Sequence, residues 1–281
     1  MARFSNPGLR ERLGAIGVGS IKHDLFDPVD DLPNDFDYVY HSALPMVRSD
    51  SGMTMSTLPG PAPWPNSFDA YAESTGRLIA HFRTAKGFVF ASSISVYEPP
   101  GGQTLVPETH PLGIHTFASY AFTKVANEAV ISYLSRSLGI PATIIRVGSA
   151  SGVDGGPMRD RLDLLAHDKP IPMHPDKPTY LRPIFEPDCA RLGVAALEAG
   201  RVPPLVVNWT GDETVSIEEY CTYMAELMGK EPIFNYTSEG TWASLVPDTT
   251  FMHEVLGRAE VHWRDGCRAL VQQCYPELLK R

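Results

Sequence analysis

Phe90-Ala-Ser-Ser-Ile-Ser-Val-Tyr97 and Tyr120-Ala-Phe-Thr-Lys124 are the two stretches that decide how this 281-residue chain is read. The first closes a short apolar run, Gly87–Ser92, of the kind that forms buried parallel strands. The second opens a helical pattern over Ser119–Leu138, which Gly139 can cap ahead of Pro141. On one helix, Tyr120 and Lys124 stand four residues apart and project from the same face. A tyrosine ordinarily ionises near about pH 10, so alone it is a poor base at neutral pH. A lysine ammonium one turn away favours the phenolate. A serine hydroxyl at the carboxyl end of a neighbouring strand can hold a substrate oxygen, and open α/β sheets bind ligands at that end. Ser93 is the candidate, with Ser92 and Ser95 as competitors.

Outward from this core, strand-like and helix-like segments alternate, which predicts an α/β sheet. Strands are expected at Gly19–His23, Asp37–Ser42, Gly87–Ser92 and Pro141–Val147, and a helix at Phe68–Thr84. Pro45–Pro65 reads as a long loop of the kind that often carries function, and Pro99–Pro111 as a second. Past about Gly152 the composition shifts. Lys169–Lys177 is proline-rich, Glu186–Ala199 and Ser216–Met228 look helical, and Pro204–Trp209 looks like a strand. The expected organisation is a catalytic domain over residues 1–152 and a smaller lobe over 153–281, some of whose segments return to the sheet.

Composition narrows the function classes. Hydrophobic residues make up 43% and charged residues 20%, enough for an ordinary core. The net charge of -9 argues against nucleic acid as a partner, since such binding relies on clustered Lys and Arg. No apolar run approaches the roughly 20 residues that cross a bilayer, and Met1–Leu13 lacks the apolar stretch of a secretory signal. A cytoplasmic protein with no membrane partner is expected. The four cysteines form no CxxC pair and read as buried thiols. The nine histidines form no metal-binding pattern, and His110 and His115 read as loop residues, so no metal is expected.

Together these stretches resemble the extended short-chain dehydrogenases/reductases, the NAD-dependent epimerase/dehydratase family. That family has a Ser or Thr three residues before a Val-Tyr pair, as Ser93 stands before Val96-Tyr97, and then a YxxxK helix. Ile144-Ile-Arg-Val-Gly-Ser-Ala-Ser-Gly152 is similar to its R-P-x-x-V-Y-G segment, and Pro187-Asp-Cys-Ala190 to its V-D-D-V-A stretch. Asn208-Trp-Thr-Gly-Asp-Glu213 resembles its N-x-G-x-E segment. His23-Asp-Leu25 resembles its adenine-contacting G-D-L, and Tyr40-His-Ser-Ala43 its H-x-A-A. The resemblance implies a Rossmann-like fold and catalysis by Ser93, Tyr120 and Lys124. It implies that NAD or NADP is held by Asp24, Leu25, Ala43, Tyr120, Lys124 and Val147, and that a small-molecule substrate is held by Ser93, Ser149 and Arg182. A homodimer through the helices flanking the sheet is also implied.

The chain departs from this pattern at its front. The family opens with a strand and a G-x-x-G-x-x-G turn whose helix holds the cofactor pyrophosphate. Here Arg3 and a short helix at Pro7–Leu13 come first, and Arg3 would lie where an arginine can take the 2′-phosphate of NADP. Gly14-Ala-Ile-Gly-Val-Gly19 has neither a preceding strand nor a following helix, so these glycines read as turn and strand-entry residues. The first strand of such a sheet lies at its centre, and losing it exposes backbone. Three arrangements answer that loss: a chain that starts upstream of Met1, direct pairing of Gly19–His23 with Asp37–Ser42, or a partner chain in the gap. The 74–76 stretch also lacks the family's asparagine, Val147 follows Arg146 in place of proline, and Ser149 replaces an asparagine that touches sugar nucleotides. Arg182 falls one residue from the diphosphate-holding position. The expected function is an NAD(P)-dependent oxidoreductase, epimerase or dehydratase acting at a hydroxyl or carbonyl carbon. Alternatives are a cofactor-independent lyase or isomerase using the same three residues, or a non-catalytic member of the family.

Overall fold

The computed structural model describes residues 1, 8–43, 64–102, 104–113 and 118–280. The first half runs α1 (Leu9–Ala15), β1 (Tyr38–His41), α2 (Trp64–His81), β2 (Gly87–Ser93), a 3₁₀ turn (Ile94–Val96), β3 (Leu105–Val106), α3 (Ala118–Leu138), β4 (Ala142–Val147) and β5 (Ser149–Ser151). Four strands make the central sheet. The fourth is β9 (Leu205–Trp209), and the order β1-β2-β4-β9 is parallel throughout.

The alternation of side chains along these strands explains the layering. Phe88, Phe90 and Ile144 point to one face, where they pack with Ile79 of α2 and Ile131 of α3. Val89 and Ile145, one residue out of phase, meet Leu192 and Ala196 on the other face. Those two residues belong to α5 (Glu186–Glu198). Both faces are therefore dry, as a parallel sheet requires. The turn from α3 into β4 depends on Gly139, whose φ of 70° lies in the left-handed region. Ser135 fastens it from both sides, taking Ile140 N at 3.0 Å on its carbonyl and donating its hydroxyl to Ile140 O at 2.7 Å.

Beyond β5 come α4 (Pro157–Ala166), β6 (Ile171–Met173), β7 (Tyr180–Leu181) and β8 (Pro183–Phe185), which lead into α5 and β9. They are followed by β10 (Val215–Ser216), α6 (Ile217–Met228), β11 (Phe234–Tyr236), β12 (Val246–Pro247), α7 (Thr250–Val255) and α8 (Trp263–Cys274). A separate apolar cluster gathers Leu162 of α4, Tyr220 and Met224 of α6, and Leu270 of α8. Two-stranded ladders stitch this lobe together: β6 with β11, β7 with β10, and β5 with β8. The Ser216 hydroxyl caps α6 by accepting Glu219 N at 3.1 Å.

Three expectations are corrected. Residues 19–23 form no strand and do not pair with β1, so that route to closing the sheet is overturned. The run Gly-Ser-Ile-Lys-His offers one large apolar side chain, too little to hold a strand against the layer below. Among the described residues nothing pairs with the outer edge of β1. The helix after the long loop begins at Trp64 and ends at His81, because Pro65 falls in the first turn, where proline costs no hydrogen bond. The first helix spans Leu9–Ala15 and so includes Gly14, with the chain turning at Gly17. Arg3, His115 and most of the Pro45–Pro65 loop lie outside the described residues. The loop at 99–111 contributes the short strand β3, which pairs with β12.

Candidate active site

The carboxyl ends of the sheet strands converge. Ser93 closes β2 opposite Val147 of β4, and Val147 stands opposite Trp209 of β9. Of the three candidate serines, the geometry separates the roles. Ser92 Oγ points into the protein and donates to Glu128 Oε1 at 2.5 Å. Ser93 Oγ accepts Ser95 N at 3.1 Å and donates to Ser95 Oγ at 3.1 Å, and the same hydroxyl is near enough to the Tyr120 phenol to favour its ionised form.

On α3, Lys124 is 3% exposed, and its Nζ donates to Ala91 O at 2.6 Å. The ammonium also lies 4.9 Å from the Phe90 ring centroid and 5.6 Å from that of Tyr120. Burial pulls the Lys124 pKa down to about 8, with Glu128 opposing. The Tyr120 pKa is raised by burial, and the Ser93 hydroxyl works against that rise. In this state of the molecule desolvation therefore outweighs the effect expected from the lysine.

His41 ends β1 at 5% exposure, beside Phe88 and Phe90, with Nε2 3.2 Å from Thr75 Oγ1. Burial first, and Lys124 second, lower its pKa to about 3. The sign follows directly. An unfolded imidazole titrates near about 6.5, so below that pH the unfolded chain binds more protons than the folded one. The stability this histidine contributes is complete above pH about 6.5 and is lost as pH falls toward 3. Urea unfolding should find the chain weaker at pH 5 than at pH 7, with a His41 share on the order of 2 kcal/mol that is absent in His41→Gln. Equal pH slopes for the two proteins would refute it.

An open cleft of about 790 Å³ runs along the outer side of β1. Asp24, Leu25 and Ala43, which the sequence assigns to the cofactor, all line it, as does His41. Asp24 Oδ1 accepts Phe26 N at 3.1 Å. Ser93, Tyr120, Lys124 and Val147 lie away from this cleft, and His41, whose imidazole feels the Lys124 charge, lies between the two groups. Ser149 begins β5 opposite Pro183, so it stands beside Arg182. Arg182 is itself engaged, with Nε 3.1 Å from Thr214 Oγ1 and Nη1 2.7 Å from Thr249 Oγ1. Gly148 lets the strands meet here, since a Cβ would collide with the Thr210 hydroxyl that donates to Arg182 O. Ser149 and Arg182 thus stand past the end of β4, while Asp24, Leu25 and Ala43 lie along the β1 cleft. His110 is a loop residue, with Nε2 2.9 Å from Glu98 O.

Sequence reasoning missed Glu128. It lies one helical turn past Lys124 and two past Tyr120, and an i, i+4, i+8 reading of α3 would have put it on the catalytic face.

Comparison with known proteins agrees with this geometry. Residues 65–166 match the family model described as the NAD dependent epimerase/dehydratase family. That segment holds all three of Ser93, Tyr120 and Lys124. The fold of the whole chain is also that of these enzymes. UDP-glucuronic acid 4-epimerase from Bacillus cereus, solved with UDP-glucuronic acid and NAD, superposes with a TM-score of 0.76 at 22% identity, over 95% of this chain and 86% of that one. UDP-glucose 4-epimerase from Thermotoga maritima, solved with UDP-glucose, gives 0.72 at 16% identity, over 95% and 94%. dTDP-glucose 4,6-dehydratase from Bacillus anthracis, solved with NAD, gives 0.63 at 17% identity, over 75% and 68%. No curated protein sequence matches the chain significantly.

For a dinucleotide, the residues present offer a cleft along β1 lined by Asp24, Leu25 and Ala43, and a phenol and an ammonium on the Tyr120–Lys124 face. Among the described residues, no strand, glycine turn and helix precede β1 to take a pyrophosphate. Nor do any three described His, Cys, Asp or Glu residues form a group able to hold a metal ion, and no described helix is long and apolar enough to cross a membrane.

Proposed function

We propose that this protein is an NAD(P)-dependent enzyme of the epimerase/dehydratase type, acting at a hydroxyl or carbonyl carbon of a small molecule. The observation that carries this reading is Ser93 at the end of β2 beside Tyr120, with Lys124 one turn along the same helix and packed over the Tyr120 ring. When bound, the nicotinamide supplies the hydride acceptor and donor for the reacting carbon. Tyr120 Oη takes the proton from the substrate hydroxyl or returns it to the carbonyl. Ser93 Oγ orients that same oxygen. Lys124 holds the nicotinamide ribose, and its charge favours the phenolate. Asp24, Leu25 and Ala43 hold the adenosine, and Val147 borders the reacting ring. Ser149 and Arg182 take the distal part of the substrate.

NAD is favoured over NADP, because two of the three similar enzymes named above were solved with NAD. A cytoplasmic homodimer, with residues 1–152 as the catalytic domain and 153–281 mainly as a substrate lobe, completes the proposal. Isothermal titration of the full chain tests it, and saturable one-to-one binding of NAD is expected, with Lys124→Met weakening it. Absence of both NAD and NADP binding in the same titration would overturn the proposal.

A further inference from the structure

Glu128 is 7% exposed and sits beneath the candidate site with every oxygen used. Oε1 accepts Ser92 Oγ at 2.5 Å and Arg146 Nε at 3.1 Å, and Oε2 accepts Arg146 Nη2 at 2.8 Å. This is the two-pronged match of guanidinium and carboxylate. The remaining donor of Arg146 is also committed, with Nη1 giving to Tyr97 Oη at 3.0 Å and Glu108 O at 2.9 Å. Tyr97 Oη donates to Asn208 Oδ1 at 2.6 Å, and Asn208 Nδ2 donates to Val106 O at 2.9 Å and Asp248 O at 3.0 Å. One connected set of bonds therefore ties α3 to the ends of β2, β4 and β9.

A fully satisfied buried ion pair gives little net stability over apolar residues of the same size, so its presence calls for another account. Its position supplies one. Ser92 is the residue before Ser93, and Glu128 is the next residue along the helix face of Tyr120 and Lys124. We infer that Glu128 is a positioning residue for the reaction: through Ser92 it fixes the Ser93 end of β2 against α3, and its negative charge faces the Lys124 ammonium. The inference rests on the Ser93–Tyr120–Lys124 reading for its functional meaning, though not for its electrostatics.

The other groups around Lys124 leave this role to Glu128. His41 approaches from β1 and is held neutral by burial. Tyr120 lies on the same helix and is held protonated by burial. Arg146 comes from β4 and is paired with Glu128 itself. β2 offers only the Ala91 carbonyl and the Phe90 ring. Burial opposes the Lys124 charge and Glu128 supports it.

The test is a carbon-13 NMR titration of the lysine side chains in the full chain, with the Lys124 signal assigned by its loss in Lys124→Arg. In Glu128→Gln the Lys124 midpoint should fall by about one pH unit, while Glu128→Asp, which keeps the charge, should stay near wild type. The alkaline limb of the kcat profile should move down with it, at constant KM. A folded Glu128→Gln with an unshifted Lys124 overturns the inference. Ser92→Ala, which removes only a hydroxyl, tests the positioning even where Glu128→Gln does not fold. Its kcat should fall about tenfold at unchanged KM and melting temperature, and an unchanged kcat overturns the role. Failure of the underlying reading looks different: Tyr120→Phe would keep full activity while the Lys124 shift persists.

Discussion

Tyr120→Phe is expected to lower kcat by about 10²- to 10⁴-fold while the melting temperature stays within a few degrees of wild type. The substitution removes one oxygen and leaves the ring. The ring is what Lys124 overhangs at 5.6 Å, so the packing at the start of α3 is kept. What is lost is the phenol oxygen beside Ser93, where the two residues would share the substrate oxygen. Burial holds the free phenol above its ordinary pKa, and Ser93 works against that rise. Steady-state kinetics beside a thermal melt decide the matter. A fully active variant removes Tyr120 from the chemistry, and an unfolded one means that the oxygen is structural.

Arg146→Ala should be the most damaging single change to stability, at about 3–5 kcal/mol. The residue is 5% exposed and its side chain makes four hydrogen bonds, three of them to charged or phenolic partners that would be left buried. Burial alone opposes its charge, and Glu128 together with Tyr97 overcomes this and raises its pKa. Total stabilities of domains are about 5–15 kcal/mol, so this loss threatens the fold. Replacing both partners, Arg146→Met with Glu128→Leu, should return most of it, because no orphaned charge remains. Urea midpoints of the two variants measure the difference. A single variant costing under about 1 kcal/mol would mean that the network is solvated.

Much of this was legible in the sequence because the relevant signals are local. The catalytic helix was placed to within one residue, since its apolar pattern and Gly139 are both short-range. The family's spacing favoured Ser93 over its competitors Ser92 and Ser95, and on the strand Ser92 and Ser93 face opposite ways, Ser92 into the protein and Ser93 toward Tyr120. The 19–23 segment misled because a run of five residues with one isoleucine satisfies a strand pattern without having a layer to pack on. The start of α2 was hidden by Pro65, which reads as a loop breaker but is tolerated in a first helical turn. Glu128 was missed because the reading stopped at Lys124. Its partners Ser92 and Arg146 lie 36 and 18 residues away, and no local pattern announces such a pairing.

The bond from Tyr97 to Asn208 spans 111 residues, and the bond from Asn208 N to Glu108 spans 100. Closing loops of that size costs entropy before any contact repays it, and such contacts form late in folding. β9, which carries Asn208, leaves the ribosome only after roughly three quarters of the chain has been made. The last links around Arg146 therefore wait for nearly complete synthesis, and early in its history the nascent protein holds Ser93, Tyr120 and Lys124 without the frame that aligns them. Gain of catalytic competence becomes a timer for the end of folding, lagging behind helix formation and collapse of the sheet.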